Sequence, residues 1–149
     1  MKIRVLCVGK IKEPYLRKGI DYYIKAISKK TQIEIVELED EKTPDHASVK
    51  EENLIKATEG NRMLKYIPDQ AKVVALCIEG KAMTTLELTD MMKKFQMQQI
   101  CDVVFIIGGS LGLADFIVKR ADVKLSFSNM TFPHQMMRMI LLEQIERIV

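Results

Sequence analysis

Five apolar runs of strand length alternate with five segments of helical periodicity along this chain, and that alternation restricts the fold more than any other feature. Strand-type runs cover 2–9, 32–38, 72–78, 102–107 and 123–127, with helical spacing over 13–28, 48–67, 84–98, 113–120 and from Pro133 onward. In the first run Ile3, Val5 and Cys7 alternate while Leu6 and Val8 are apolar too, so both faces of that strand are covered. Repeated strand–helix units demand a mostly parallel sheet with helices on both faces. At 149 residues, with no linker, repeat or low-complexity stretch, the expectation is one α/β domain over 1–149.

The helical stripes are read as Leu16, Ile20, Tyr23, Ile24 and Ile27 in the first helix, and Leu54, Ala57 and Leu64 in the second. Leu86, Leu88, Met91, Met92 and Phe95 face inward in the third; Met136, Met137, Ile140, Leu141, Ile145 and Ile148 form the apolar side of the last. Thr84 or Thr85 caps the third helix and Pro133 opens the last. The acidic stretch 39–46 with Pro44 is a loop, and Glu79-Gly80-Lys81 is the turn after the third strand.

No apolar run reaches the ~18 residues of a membrane span, and the N-terminus lacks a signal-peptide pattern, so a cytoplasmic protein is expected. Cys7, Cys77 and Cys101 have no metal-like spacing and are read as buried, reduced thiols, with no metal site implied. Net charge is only +3, but residues 1–30 carry nine Lys/Arg against two acids and residues 31–60 carry three against nine. The basic segment can contact phosphates; lysines on a solvated helix face are the bland alternative.

The chemistry concentrates in the last third. Val103-Val104-Phe105-Ile106-Ile107 runs into Gly108-Gly109-Ser110-Leu111-Gly112-Leu113, and a second motif runs from Leu125-Ser126-Phe127-Ser128-Asn129 to Met130-Thr131-Phe132-Pro133-His134-Gln135. Ligands of open α/β sheets bind beyond the carboxyl ends of strands, and two backbone-rich loops there suit a small organic cofactor. The turn after the first strand has neither G-x-G-x-x-G nor a Walker sequence, which argues against a dehydrogenase and an NTPase.

These two late motifs, with Met1-Lys2-Ile3, Val8-Gly9-Lys10 and Leu76-Cys77-Ile78-Glu79-Gly80-Lys81, make the chain resemble the SPOUT methyltransferases, and within them the RlmH family, over nearly its whole length. The resemblance implies a deep C-terminal trefoil knot, here about 103–149. It implies S-adenosylmethionine as methyl donor, N3 of a pseudouridine in large-subunit ribosomal RNA of the assembled ribosome as substrate, and a homodimer. Carried over by position, the donor site comprises Leu76, Gly108, Phe127, Ser128, Asn129, Met130, Thr131 and Phe132. Glycine at 108 is taken to let the cofactor approach the backbone.

Arg138 is assigned to holding RNA or steering its charge, with a surface ion pair as the alternative. His134 either touches the RNA or orders the loop through a hydrogen bond at the helix start. The family continues past the last helix into a basic, aromatic tail, whereas this sequence ends at Val149. Two explanations compete: a truncated protein with donor binding intact and activity weakened or lost, or RNA contacts made elsewhere, as at Arg4, Lys10 or Lys12. A ribosome-associated protein that binds the donor without turnover stands as a second class of function. A flavodoxin-like nucleotide module is a weaker third, for want of a phosphate cradle.

Overall fold

A computed structural model describes residues 1–149. Five parallel strands form one sheet in the order β2-β1-β4-β3-β5, with β1 at Lys2–Val8, β2 at Gln32–Leu38, β3 at Lys72–Ala82, β4 at Asp102–Ile106 and β5 at Val123–Ser126. The helices are α1 (Pro14–Ser28), α2 (Val49–Leu64), α3 (Thr85–Met97), α4 (Asp115–Arg120) and α5 (His134–Ile148). The α/β architecture and all ten elements match the pattern in the sequence. No helix is long and apolar enough to cross a membrane.

Side chains alternate across the pleat, and the two faces are covered separately. Ile3, Val5, Cys7, Val103 and Phe105 join a cluster of 19 buried residues with Leu16, Ile20 and Ile27 of α1, Leu88, Met92 and Phe95 of α3, and Leu141, Leu142, Ile145 and Ile148 of α5. Leu6, Val8, Val104 and Ile106 face the other way, with Met63 of α2 and Ile117 of α4, in a cluster of 11. The larger core is therefore under α1, α3 and α5. Burying each of the four α5 side chains contributes about 1.5–3 kcal/mol as an upper estimate.

Four local readings are corrected. Strand β3 does not stop at residue 78: Leu125 of β5 pairs with both Leu76 and Lys81, so residues 77–80 bulge out and the strand resumes. Gly80 permits this, because a Cβ there would lie 2.8 Å from the carbonyl group of Lys124. In α2, Leu54 and Leu64 are exposed, and the buried row is Glu59, Gly60 and Met63. That helix is anchored by a capping box: Ser48 Oγ accepts the Glu51 amide at 3.1 Å and Glu51 accepts the Ser48 amide at 3.2 Å. Its packing row contains one apolar side chain, which is why periodicity misplaced its face. Leu86 on α3 is likewise exposed. Among the thiols Cys7 is buried, Cys77 is half-buried and Cys101 exposed, so the uniform burial expected of them holds only for Cys7.

Strand β5 lies outside β3, yet α5 packs against α1 as well as α3. Residues 127–133 therefore carry the chain back over the carboxyl ends of β3 and β4. That return gathers the late motifs at one end of the sheet.

Candidate donor-binding and active site

A cavity of about 900 Å³ opens at this end, walled by residues 76–79 at the bulge of β3, residues 107–113 after β4, and the segment from Phe127 to His134, with Lys56 of α2 at one side. Leu76, Ile107, Leu113, Phe127 and Met137 supply apolar surface. Of the eight residues expected to hold the donor, Leu76, Gly108, Phe127, Ser128, Met130, Thr131 and Phe132 all line it. Asn129 is exposed and does not line the cavity.

The glycine loop is a tight turn. The Gly112 amide donates to the Gly109 carbonyl at 3.0 Å, and Gly112 adopts φ +87°, a left-handed conformation costly for a side-chain-bearing residue. A Cβ on Gly108 would lie 2.8 Å from the Gly112 carbonyl carbon and 3.1 Å from a Leu113 methyl. Glycine at 108 is thus needed for the loop to close on itself, a different reason from the cofactor approach expected. The Gly109 amide faces the Gly112 carbonyl across this turn, while the amides of Gly108, Ser110 and Leu111 find no acceptor within the protein, although they sit beside the cavity. Unpaired main-chain donors between apolar walls fit an adenosyl group, which asks for directional hydrogen bonds and no charge.

Across the opening, the loop between β5 and α5 is held by its own serines. Ser126 Oγ donates to the Ser128 carbonyl at 3.1 Å, and Ser128 Oγ accepts the Met130 amide at 3.0 Å. These hydroxyls shape the loop. They turn its backbone ahead of Pro133, whose missing N–H and fixed φ suit the start of α5.

His134 lines the cavity, and its buried Nδ1 has no hydrogen-bond partner. Burial lowers the imidazole pKa, the neighbouring Arg138 charge lowers it further, and Asp40 opposes. The ring is neutral at neutral pH. Neither structural alternative for His134, a loop-ordering bond or a helix-start bond, is present at Nδ1.

Arg138 is neither at an RNA surface nor in a surface ion pair. It is fully buried. Its guanidinium donates to Glu37 at 2.9 Å and to the Val8 carbonyl at 2.5 Å, while its Nε is unpartnered. Glu37 also accepts the Ile11 amide at 2.9 Å and Arg17 at 3.1 Å. Burial alone would raise the Glu37 pKa, but the Ile11 amide and the two guanidiniums outweigh it and hold it below the usual carboxylate range. One carboxylate thus ties the start of α5 to the end of β2 and the β1–α1 loop. Arg138 positions the helix that carries His134.

Neither nearby thiol is a nucleophile. Burial pushes Cys7 up to about 11, and Cys77 is also raised, chiefly by burial. No group of three or more His, Cys, Asp or Glu side chains is arranged to hold a metal.

Glu59 was not singled out by the sequence. It is 5% exposed, lies beside Gly109 and accepts the Glu41 amide at 3.1 Å. Burial raises its pKa against the pull of that amide, and Asp40 adds to the rise. A carboxyl raised in the folded state favours the protonated fold, so stability falls as pH climbs from the unfolded value of about 4.3 through the folded one. Glu59→Gln keeps an acceptor for Glu41 and removes the charge. Urea midpoints are expected to match wild type near pH 4 and exceed it above pH 7; a variant weaker at every pH would show that the carboxylate charge is needed. Lys56, one turn earlier, reaches the cavity rim from a helix with no local signal for such a role.

A family model described as "Predicted SPOUT methyltransferase" matches residues 1–149. A protein of Clostridioides difficile (strain 630) named "Ribosomal RNA large subunit methyltransferase H" is 52% identical over 147 residues, 99% of this chain and 92% of that protein. One of the same name from Clostridium botulinum (strain Okra / Type B1) is 50% identical over 147 residues, with the same coverage. With a full-length family match and half of its residues shared with these relatives, the chain belongs to the SPOUT methyltransferase family.

Proposed function

We propose that this chain methylates N3 of a pseudouridine in large-subunit ribosomal RNA, using S-adenosylmethionine, and works in the cytoplasm as a homodimer on the assembled ribosome. The observation that carries the reading is the cavity at this end of the sheet, with its free Gly108, Ser110 and Leu111 amides and apolar walls. The relatives' name supplies the substrate class.

When bound there, S-adenosylmethionine presents a methyl group on a sulfonium, open to in-line displacement by a nitrogen nucleophile. The chain's task is to position the base, exclude water and take the N3 proton. Leu76, Leu113 and Phe127 wall off water. The His134 ring, which lines the cavity and is kept neutral, is the group proposed to accept the proton as the N–C bond forms. Arg138 and Glu37 fix that imidazole's helix.

Dimerisation has support in the apolar surface near the opening: Ile78, Met130 and Phe132 are 48%, 68% and 37% exposed, and Met136 and Met139 on α5 are only half-covered. The trefoil knot of the family would close where residues 127–133 return over β3 and β4.

Calorimetric titration with S-adenosylmethionine, followed by labelled-methyl transfer to ribosomes lacking the modification, tests the reading. The expected results are a micromolar Kd, roughly −8 kcal/mol, and label at N3 of a pseudouridine by mass spectrometry. Binding without transfer would reduce the chain to a donor-binding protein, and absence of binding would remove the site itself.

A further inference from the structure

Resting on the proposed action on ribosomal RNA, we infer that the unpaired lysines of the β1–α1 loop and the outer face of α1 form a phosphate-binding rail that docks that RNA beside the cavity. Nine basic residues fall within 1–30, and the structure divides them into two sets. Lys2 and Arg4 pair with Glu34, Arg17 with Glu37, and Lys30 with Glu146. Arg4 also donates to the Tyr66 carbonyl, so it is consumed by packing. Lys10, Lys12, Lys18, Lys25 and Lys29 are all exposed and take part in no ion pair.

Their placement is ordered. At 100° per residue Lys18, Lys25 and Lys29 fall within an arc of about 40° and span about 16 Å along the helix. Their direction is opposite the buried stripe Leu16, Ile20 and Ile27. Lys10 and Lys12 extend the row to the end of β1, next to β4, whose following loop walls the cavity. Asp21 is the sole acid on α1. Asp21 lies one turn from Lys18 and Lys25 without an ion pair to either, and a row that keeps this net positive charge is matched to a polyanion with repeating phosphates. It is poorly matched to a second copy of itself, because a two-fold contact on this row would bring lysines against lysines. The Arg17–Glu37–Arg138 cluster holds the loop bearing Lys10 and Lys12 to α5, so the rail and the cavity are rigidly related.

The test is methyl transfer to ribosomes by Lys18→Glu/Lys25→Glu/Lys29→Glu, with Lys93→Glu/Lys94→Glu on α3 as a surface control. The triple variant is expected to raise the ribosome KM at least tenfold and to flatten the log–log salt dependence by about 2, while S-adenosylmethionine affinity stays at the wild-type value. The matching triple arginine variant should restore the KM, since the contact asked of each position is charge. An unchanged KM and salt slope in the glutamate triple would overturn the rail, as would an altered sedimentation state, which would assign the face to protein contact. Equal losses in the α3 control would overturn it too, by showing a nonspecific charge effect. Wild-type protein inactive on ribosomes would sink the functional reading itself, a result separable from failure of the rail.

Discussion

Gly108→Val is expected to reduce S-adenosylmethionine affinity by more than a hundredfold, a loss above about 2.7 kcal/mol. The valine Cβ would lie 2.8 Å from the Gly112 carbonyl carbon, closer than real Cβ contacts come, and the obstruction is backbone rather than a flexible side-chain end. Relief requires the 108–112 turn to open, which redirects the unpaired amides that face the cavity. The strands beneath are fully buried and hydrogen-bonded, so the damage should stay in the loop. Gly108→Ala, with the same first contact but no branches, should fall between wild type and valine. Titration calorimetry on variants whose circular dichroism and melting match wild type decides it, and a valine variant of undiminished affinity would remove the loop from the donor site.

Glu37→Ala is expected to destabilise the fold by about 3–5 kcal/mol, the cost of leaving a buried charge without its partner. Arg138 has no exposed surface and would keep only the Val8 carbonyl, with Arg17 and the Ile11 amide released as well. In a chain of this size the melting temperature should drop by roughly 10 °C or more. The double variant Glu37→Ala/Arg138→Met should be milder than the sum of the two single changes, because it removes the stranded charge. The carboxylate pKa is depressed in the fold, so its stabilisation is present above the unfolded value of about 4.3 and is lost as pH falls through the folded one. Wild-type stability should therefore decline in acid more steeply than that of Glu37→Gln. A loss of methyl transfer in Glu37→Gln, with donor affinity kept, would show the cluster positioning His134; parallel curves for both proteins at every pH would show that folding does not depress the carboxylate pKa.

Much of the architecture was legible because the signals were local. Strand β1 is apolar on both faces, and such a strand belongs in the middle of a parallel sheet, where the structure puts it, between β2 and β4. Thr84 and Ser48 cap their helices as short hydroxyl side chains do. The helix α2 defeated the same reasoning: its packing row is Glu59, Gly60 and Met63, chosen by what lies beneath rather than by hydrophobicity.

The donor loops were read from the paired glycines and the proline-terminated motif, yet the reason for Gly108 came only from the contact with Gly112. Arg138 was misread for a physical reason. In sequence it is a cation one turn from a histidine, and its partner Glu37 is separated by 101 positions. No local pattern announces a pair that exists only once β2 and α5 meet.

What the sequence determined by itself is therefore the succession of strands and helices along the chain and the two loops that wall the cavity, since periodicity and backbone freedom are properties of neighbouring residues. The tertiary structure alone decided which charges are spent and which are free. Arg4, Arg17 and Arg138 found acids brought to them by folding, and the lysines of α1 did not. Ion pairing depends on distance in space, which the chain acquires only when the sheet closes.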